Sequence, residues 1–149
     1  MPESGRRQRL LWVLTGLAVA AVLLHLYGLY RPSVPQTGVW YADKVGHVVG
    51  FAAPVGLILL ARHAAGPPVG DAERLPSRFG LVVVAIFALH GVVSELVQHV
   101  TYLHRTGDAL DVVADWLGVG AGWVGAGALA SGKWRRAGRG VASAPPLRR

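Results

Sequence analysis

Residues 79–100 read FGLVVVAIFALHGVVSELVQHV. No charge appears until Glu95, and then Glu95, Gln98 and His99 arrive together at one end. The run is close to the ~20 residues that a helix needs to cross a ~30 Å hydrocarbon core. Three further runs of this kind cover 10–30, 43–61 and 108–131. All four are expected to be helices, because lipid offers an open backbone no hydrogen-bond partner. Composition agrees. Of 149 residues, 52% are hydrophobic and 15% charged, with a mean hydropathy of +0.41. A soluble domain carries about 25% charged residues, so that class and a disordered chain are both disfavoured. The absence of Cys excludes disulfides, thiolate metal sites and cysteine nucleophiles.

The expected architecture is an all-α polytopic membrane protein with four transmembrane helices. A basic segment, 1–9, precedes a transmembrane domain, 10–131, and a basic tail, 132–149, is expected to be disordered. The first apolar run is longer than a signal-peptide core and lacks a small-residue cleavage site, so it reads as a retained anchor. Orientation follows from Lys and Arg. Twelve lie in 1–9, in the 62–78 loop and in the tail; only Arg31, Lys44 and Arg105 lie on the other side. With acids included the two sides carry +9 and −2, which together make the net +7. The positive-inside rule then puts both termini in the cytoplasm and the first and third loops outside. Basic residues at helix ends and in a loop, without a basic stripe interleaved with aromatics, also argue against nucleic acid as a partner.

Polar residues collect at the expected outer ends of spans two to four. Asp43, Lys44 and His47 open the second. Glu95, Gln98 and His99 close the third. Arg105, Asp108, Asp111 and Asp115 open the fourth. At 1.5 Å per residue, His47 lies about 6 Å below Asp43 and Asp115 about 10 Å below Asp108. Glu95 lies about 24 Å from the inner boundary. Spacings of three, four and seven put each group on one helix face. A charge turned to lipid costs about 2.5–3.5 kcal/mol, so these faces should meet inside the bundle. His47, Glu95, Asp111 and Asp115 are the candidates for acid/base work or cation binding. Lys44 and Arg105 are candidates to receive an anion or lipid head group, supported by Asp43, Gln98 and Asp108. The mixed N and O donors admit a divalent cation, although the spacing matches no established metal motif. His25 and His90 stand apart and read as packing residues. Gly46/Gly50 and Gly118/Gly122, with Gly125 beyond, mark close helix approach. Pro54 should free a carbonyl near mid-membrane. Trp40 and Tyr41 are expected at the outer interface, Trp12 and Trp134 at the inner one.

The pattern Asp43-Lys44-x-x-His47, Glu95-x-x-Gln98 and Arg105-Thr106-x-Asp108-x-x-Asp111-x-x-x-Asp115-x-x-Gly118 resembles the VanZ-like family of bacterial integral membrane proteins. The resemblance covers about 43–124. It implies a small helical protein of the bacterial cytoplasmic membrane. One family member is associated with low-level resistance to the glycopeptide teicoplanin. The family's polar positions correspond here to Asp43, His47, Glu95, Gln98, Arg105, Asp111 and Asp115. Family members often carry Asn at the last of these; the Asp here adds a negative charge and favours proton or metal chemistry. The Tyr102-Leu103-His104 stretch departs from the small, Pro-containing turn of the family.

Three functions fit the sequence. The first is an outward-facing pocket that binds or modifies an envelope lipid or lipid-linked precursor. The second is an ion-coupled transporter, a role for which buried acids are suited but which lacks a visible polar path to the cytoplasm. The third is a structural or partner-binding protein, open to oligomer formation, whose polar layer only specifies helix assembly.

Overall fold

The computed structural model describes residues 3–31, 40–66, 78–101 and 108–131. Arg105, the stretch 102–104, Trp134 and the basic tail lie outside these residues. Four helices make up the described chain: α1 (Glu3–Tyr30), α2 (Trp40–Ala65), α3 (Arg78–Thr101) and α4 (Ala109–Ala130). Each is long and apolar enough to cross a membrane. The first two are longer than their apolar runs. α1 carries Arg6, Arg7 and Arg9 on its first turns, and α2 continues through Arg62. A helix satisfies its backbone whatever its side chains, so it outlasts the hydrophobic signal, and long basic side chains extend back towards water. Arg7 Nε donates to Ala64 O at 3.1 Å and ties the start of α1 to the end of α2.

Such cross-links give the helix directions. Gln98 Nε2 donates to Leu29 O at 3.1 Å, bringing the ends of α1 and α3 together. Lys44 Nζ meets Asp108 Oδ2 at 2.7 Å, bringing the starts of α2 and α4 together. The bundle therefore alternates in direction, and α2 and α4 run parallel. They also form the most extensive interface, with α1 on another side of α2 and α3 against α4. Spans two and three, adjacent in the chain, scarcely touch.

Glycine explains the α2–α4 choice. A Cβ on Gly118 would collide with Val48 O and with Phe51 Cβ, and one on Gly122 would sit 2.5 Å from Ala52 O. Backbone meets backbone here, as small residues permit. The contacting glycine on α2 is Gly56, whose Cβ position lies 3.4 Å from Gly122 O. The Gly46/Gly50 pair is not the counterpart. Gly46 has open space, and Gly50 faces His25 of α1. The spacing identifies the right pair on the fourth span and the wrong one on the second, because GxxxG does not say which helix lies opposite.

Pro54 is buried within α2 and cannot donate to the carbonyl four residues back, that of Gly50. The buried His25 fills that role. Its ring hydrogen-bonds to the Gly50 backbone, with Nδ1 the nitrogen on that side. The imidazole also stands edge-on to Phe51, centroids 4.4 Å apart. His25 is thus the packing residue expected, with a specific task. Leucine at His25 leaves a buried carbonyl unsatisfied and should cost about 1–3 kcal/mol in detergent unfolding. In a Pro54→Ala background, where the substituted residue supplies the missing N–H, the same change should cost distinctly less. An equal cost in both backgrounds would refute the pairing.

Candidate functional site

The parallel start of α2 and α4 sets the site. Asp43 stands in the first turn of α2 and Asp111 in that of α4, while Asp108 caps α4 by accepting from the Leu110 N–H at 2.9 Å. Two positive helix ends thus converge on three carboxylates and stabilise them. Lys44 supplies a full countercharge. Its ammonium is hydrogen-bonded to Asp111 Oδ1 and Asp108 Oδ2 and lies 3.8 Å from Asp43 Oδ2. The expected anion-binding lysine is therefore already engaged by carboxylates.

One turn deeper, His47 Nδ1 lies 2.8 Å from Asp115 Oδ1. With Asp115 ionised, the imidazole Nδ1–H is the donor. The other nitrogen, Nε2, lies 3.8 Å from Asp111 Oδ1. From α3, Glu95 Oε2 accepts the Asp108 backbone N–H at 3.1 Å, linking the end of α3 to the cap of α4. His47, Glu95, Asp111 and Asp115, expected to share one layer, are indeed brought together by α2, α3 and α4. Side-chain exposure falls from 43% at Asp108 through 11% at Asp111 to 0% at Asp115. The cluster therefore opens at the α4 N-terminal end of the bundle and closes towards its middle.

Two of the residues grouped with the site go elsewhere. Gln98 is buried but spends its amide on Leu29 O of α1. His99 is exposed, about 100° around the helix from the buried Gln98 that precedes it. Arg105 is outside the described residues. Two residues that the polar pattern does not single out matter to the geometry. Gly91 lies against Asp115: a Cβ there would stand 3.0 Å from both Cβ and Oδ2 of the aspartate. Ser94, fully buried, returns its hydroxyl to Gly91 O at 2.9 Å. A signal for Gly91 is present in the sequence, because it precedes Glu95 by four residues and shares its face.

Among the described residues, four buried side-chain atoms have no hydrogen-bond partner: Glu95 Oε1, Asp115 Oδ2, His25 Nε2 and His90 Nε2. Two belong to the cluster. The other two belong to neighbouring rings, His25 and His90, whose centroids are 5.2 Å apart. His90 adjoins Gly91, the residue against Asp115, but its ring packs on His25, Tyr30 and Phe51. Among the described residues, two sets of three have donor atoms close enough to hold a metal, within 4.8 Å of one another: Asp43, His47 and Asp111, and His47, Glu95 and Asp115.

Asp108, just outside the α4 span, has its carboxyl held below the ordinary 3.8, first by the hydrogen bond from Lys44 and then by the Leu110 N–H. A depressed folded pKa stabilises the fold fully above the ordinary value, and that contribution is lost as pH falls through the lower folded one. Acid unfolding of the wild type should therefore steepen below about pH 4. Asp108→Asn should flatten that limb, because the group that titrates there is gone. The same slope in both proteins would argue against the pair.

Comparison with protein-family models, with curated proteins and with solved structures yields no match.

Proposed function

We propose that the chain is a bacterial cell-envelope membrane protein whose polar pocket faces outward and binds or modifies an envelope lipid or lipid-linked precursor. The observation that carries this reading is the graded cluster: buried His47, Glu95 and Asp115 beneath a more exposed rim of Asp43, Lys44 and Asp108. Buried carboxylates with spare oxygens are costly and persist where they serve a site. The excess of Lys and Arg at the opposite end supports the outward orientation. At that depth, lipid head groups are the natural ligands. An anionic head group reaches Lys44 by displacing Asp108, the more exposed of its two hydrogen-bonded partners, with Arg105 as a second cation. Glu95 and the His47–Asp115 pair supply proton donors and acceptors below it. The resemblance to VanZ-like proteins supports the same placement and makes glycopeptide susceptibility the phenotype to measure.

The test is purification in a lipid-preserving polymer followed by mass spectrometry of bound lipids. The wild type is expected to retain an anionic envelope lipid. Alanine at His47, Glu95 or Asp111 should lose it while inserting normally. Identical lipid profiles and unchanged susceptibility in all three would overturn the reading.

A second reading draws on Lys44 and Gln98, both spent on holding helices together. In it the polar layer only specifies assembly. The transport reading finds less support. Beyond His25 and His90 the described interior is apolar, built from Val55, Leu59, Val83 and Ala126.

A further inference from the structure

The geometry points to a divalent cation site formed by His47, Glu95 and Asp115, one ligand from each of α2, α3 and α4. It goes beyond the lipid-binding reading and does not need it. The donor atoms lie within 4.8 Å of one another, and all three residues are buried. Independently, Glu95 Oε1 and Asp115 Oδ2 are buried without a partner among the described residues. Glu95 is 6% exposed and Asp115 0%. Asp115 Oδ2 lies against α3 at Gly91, one turn from Glu95, so the spare oxygens belong to facing residues.

Charge selects this set over the neighbouring Asp43, His47 and Asp111. The carboxylates of that outer set already share the Lys44 ammonium. The inner pair has no Lys or Arg among its described contacts: Asp115 meets the His47 imidazole, and Glu95 accepts the Asp108 backbone N–H. Two buried carboxylates this close cannot both stay ionised without a proton or a cation between them. A tetrahedral ion with donor bonds of ~2.1 Å holds its donors about 3.4 Å apart, so side-chain rotations of about 1 Å close the site. The bound ion takes the place of the Nδ1 proton of a His47 protonated on both nitrogens, and that proton leaves to solvent. The remaining His47 Nε2–H then faces Asp111 Oδ1, the carboxylate that a metal-bound imidazole ordinarily uses for orientation. An imidazole beside two carboxylates favours a first-row ion such as Mn2+ or Zn2+ over Mg2+ or Ca2+.

The whole chain, stripped with chelator and reconstituted in nanodiscs, can be titrated with Mn2+ by electron paramagnetic resonance and with Zn2+ by calorimetry. One saturable site per chain is expected. Glu95→Gln and Asp115→Asn, both close in shape, should weaken it by at least ~10-fold, and Asp43→Asn by less than ~3-fold. Coupling of the bound Mn2+ to nitrogen in 15N-histidine-labelled wild type should disclose an imidazole ligand, a readout that needs no variant to fold. Absence of saturable binding overturns the site. So does loss of binding in Asp43→Asn with retention in Glu95→Gln, which would move the ion to the outer set. Because retained lipid is not the readout of this titration, its failure is distinct from a failure to retain lipid.

Discussion

Alanine at Gly118 is expected to cost about 2–3 kcal/mol of bundle stability, whereas alanine at Gly125 on the same helix should be neutral or slightly stabilising. The two changes share the ~1 kcal/mol gain in helix propensity, so their difference isolates packing. At Gly118 the new methyl meets the Val48 carbonyl and Phe51 Cβ. A backbone carbonyl cannot rotate away as a side chain would, so α2 and α4 must part. At Gly125 nothing lies within 4 Å. Parting α2 from α4 also parts His47 from Asp115, so the Gly118 variant should lose whatever the cluster binds. Denaturant titration in detergent micelles measures the stabilities. Equal effects at the two glycines would mean that the α2–α4 contact is not the one described.

The second large effect is at the buried pair. Asp115→Ala removes the hydrogen-bond partner of His47 and leaves a buried imidazole with its Nδ1 unpaired. Breaking one side of a buried ion pair costs about 3–5 kcal/mol, most of it the desolvation of the abandoned group. The double variant His47→Leu/Asp115→Ala abandons nothing. It should regain all but about 1 kcal/mol of the loss, since apolar replacement of a whole buried pair is often neutral. Such a protein is stable but should retain no lipid and bind no cation at this site. Full function in the stable double variant would instead favour the assembly role. If the double variant is as unstable as the single one, the pair is not the coupled unit that its 2.8 Å separation describes.

Much of the site is legible in the primary structure. Asp43, His47, Glu95, Asp111 and Asp115 lie at helix ends at spacings that share a face, and lipid penalises any arrangement in which they face outward. Gln98 misleads because an amide shares the face of Glu95 yet is long enough to reach the next helix. Gly91 gives little sign of its role because a glycine has no chemistry of its own, and its use depends on what approaches it. Pro54 announces a free carbonyl, but only the neighbouring helix can show that His25 answers it.

Four spans, their approximate length and the polar end of the bundle follow from the chain alone. Each is a property of one segment, summed over its own residues: transfer free energy for the span, and backbone hydrogen bonding for the helix. The pairing of helices is another matter. Apolar side chains are as content against lipid as against protein, so hydrophobicity does not choose neighbours. The choice lies in shape, where Gly118 and Gly122 let the backbone of α4 rest on the carbonyls of Val48 and Ala52. That parallel contact places His47 beside Asp115, and it exists only once the helices are assembled.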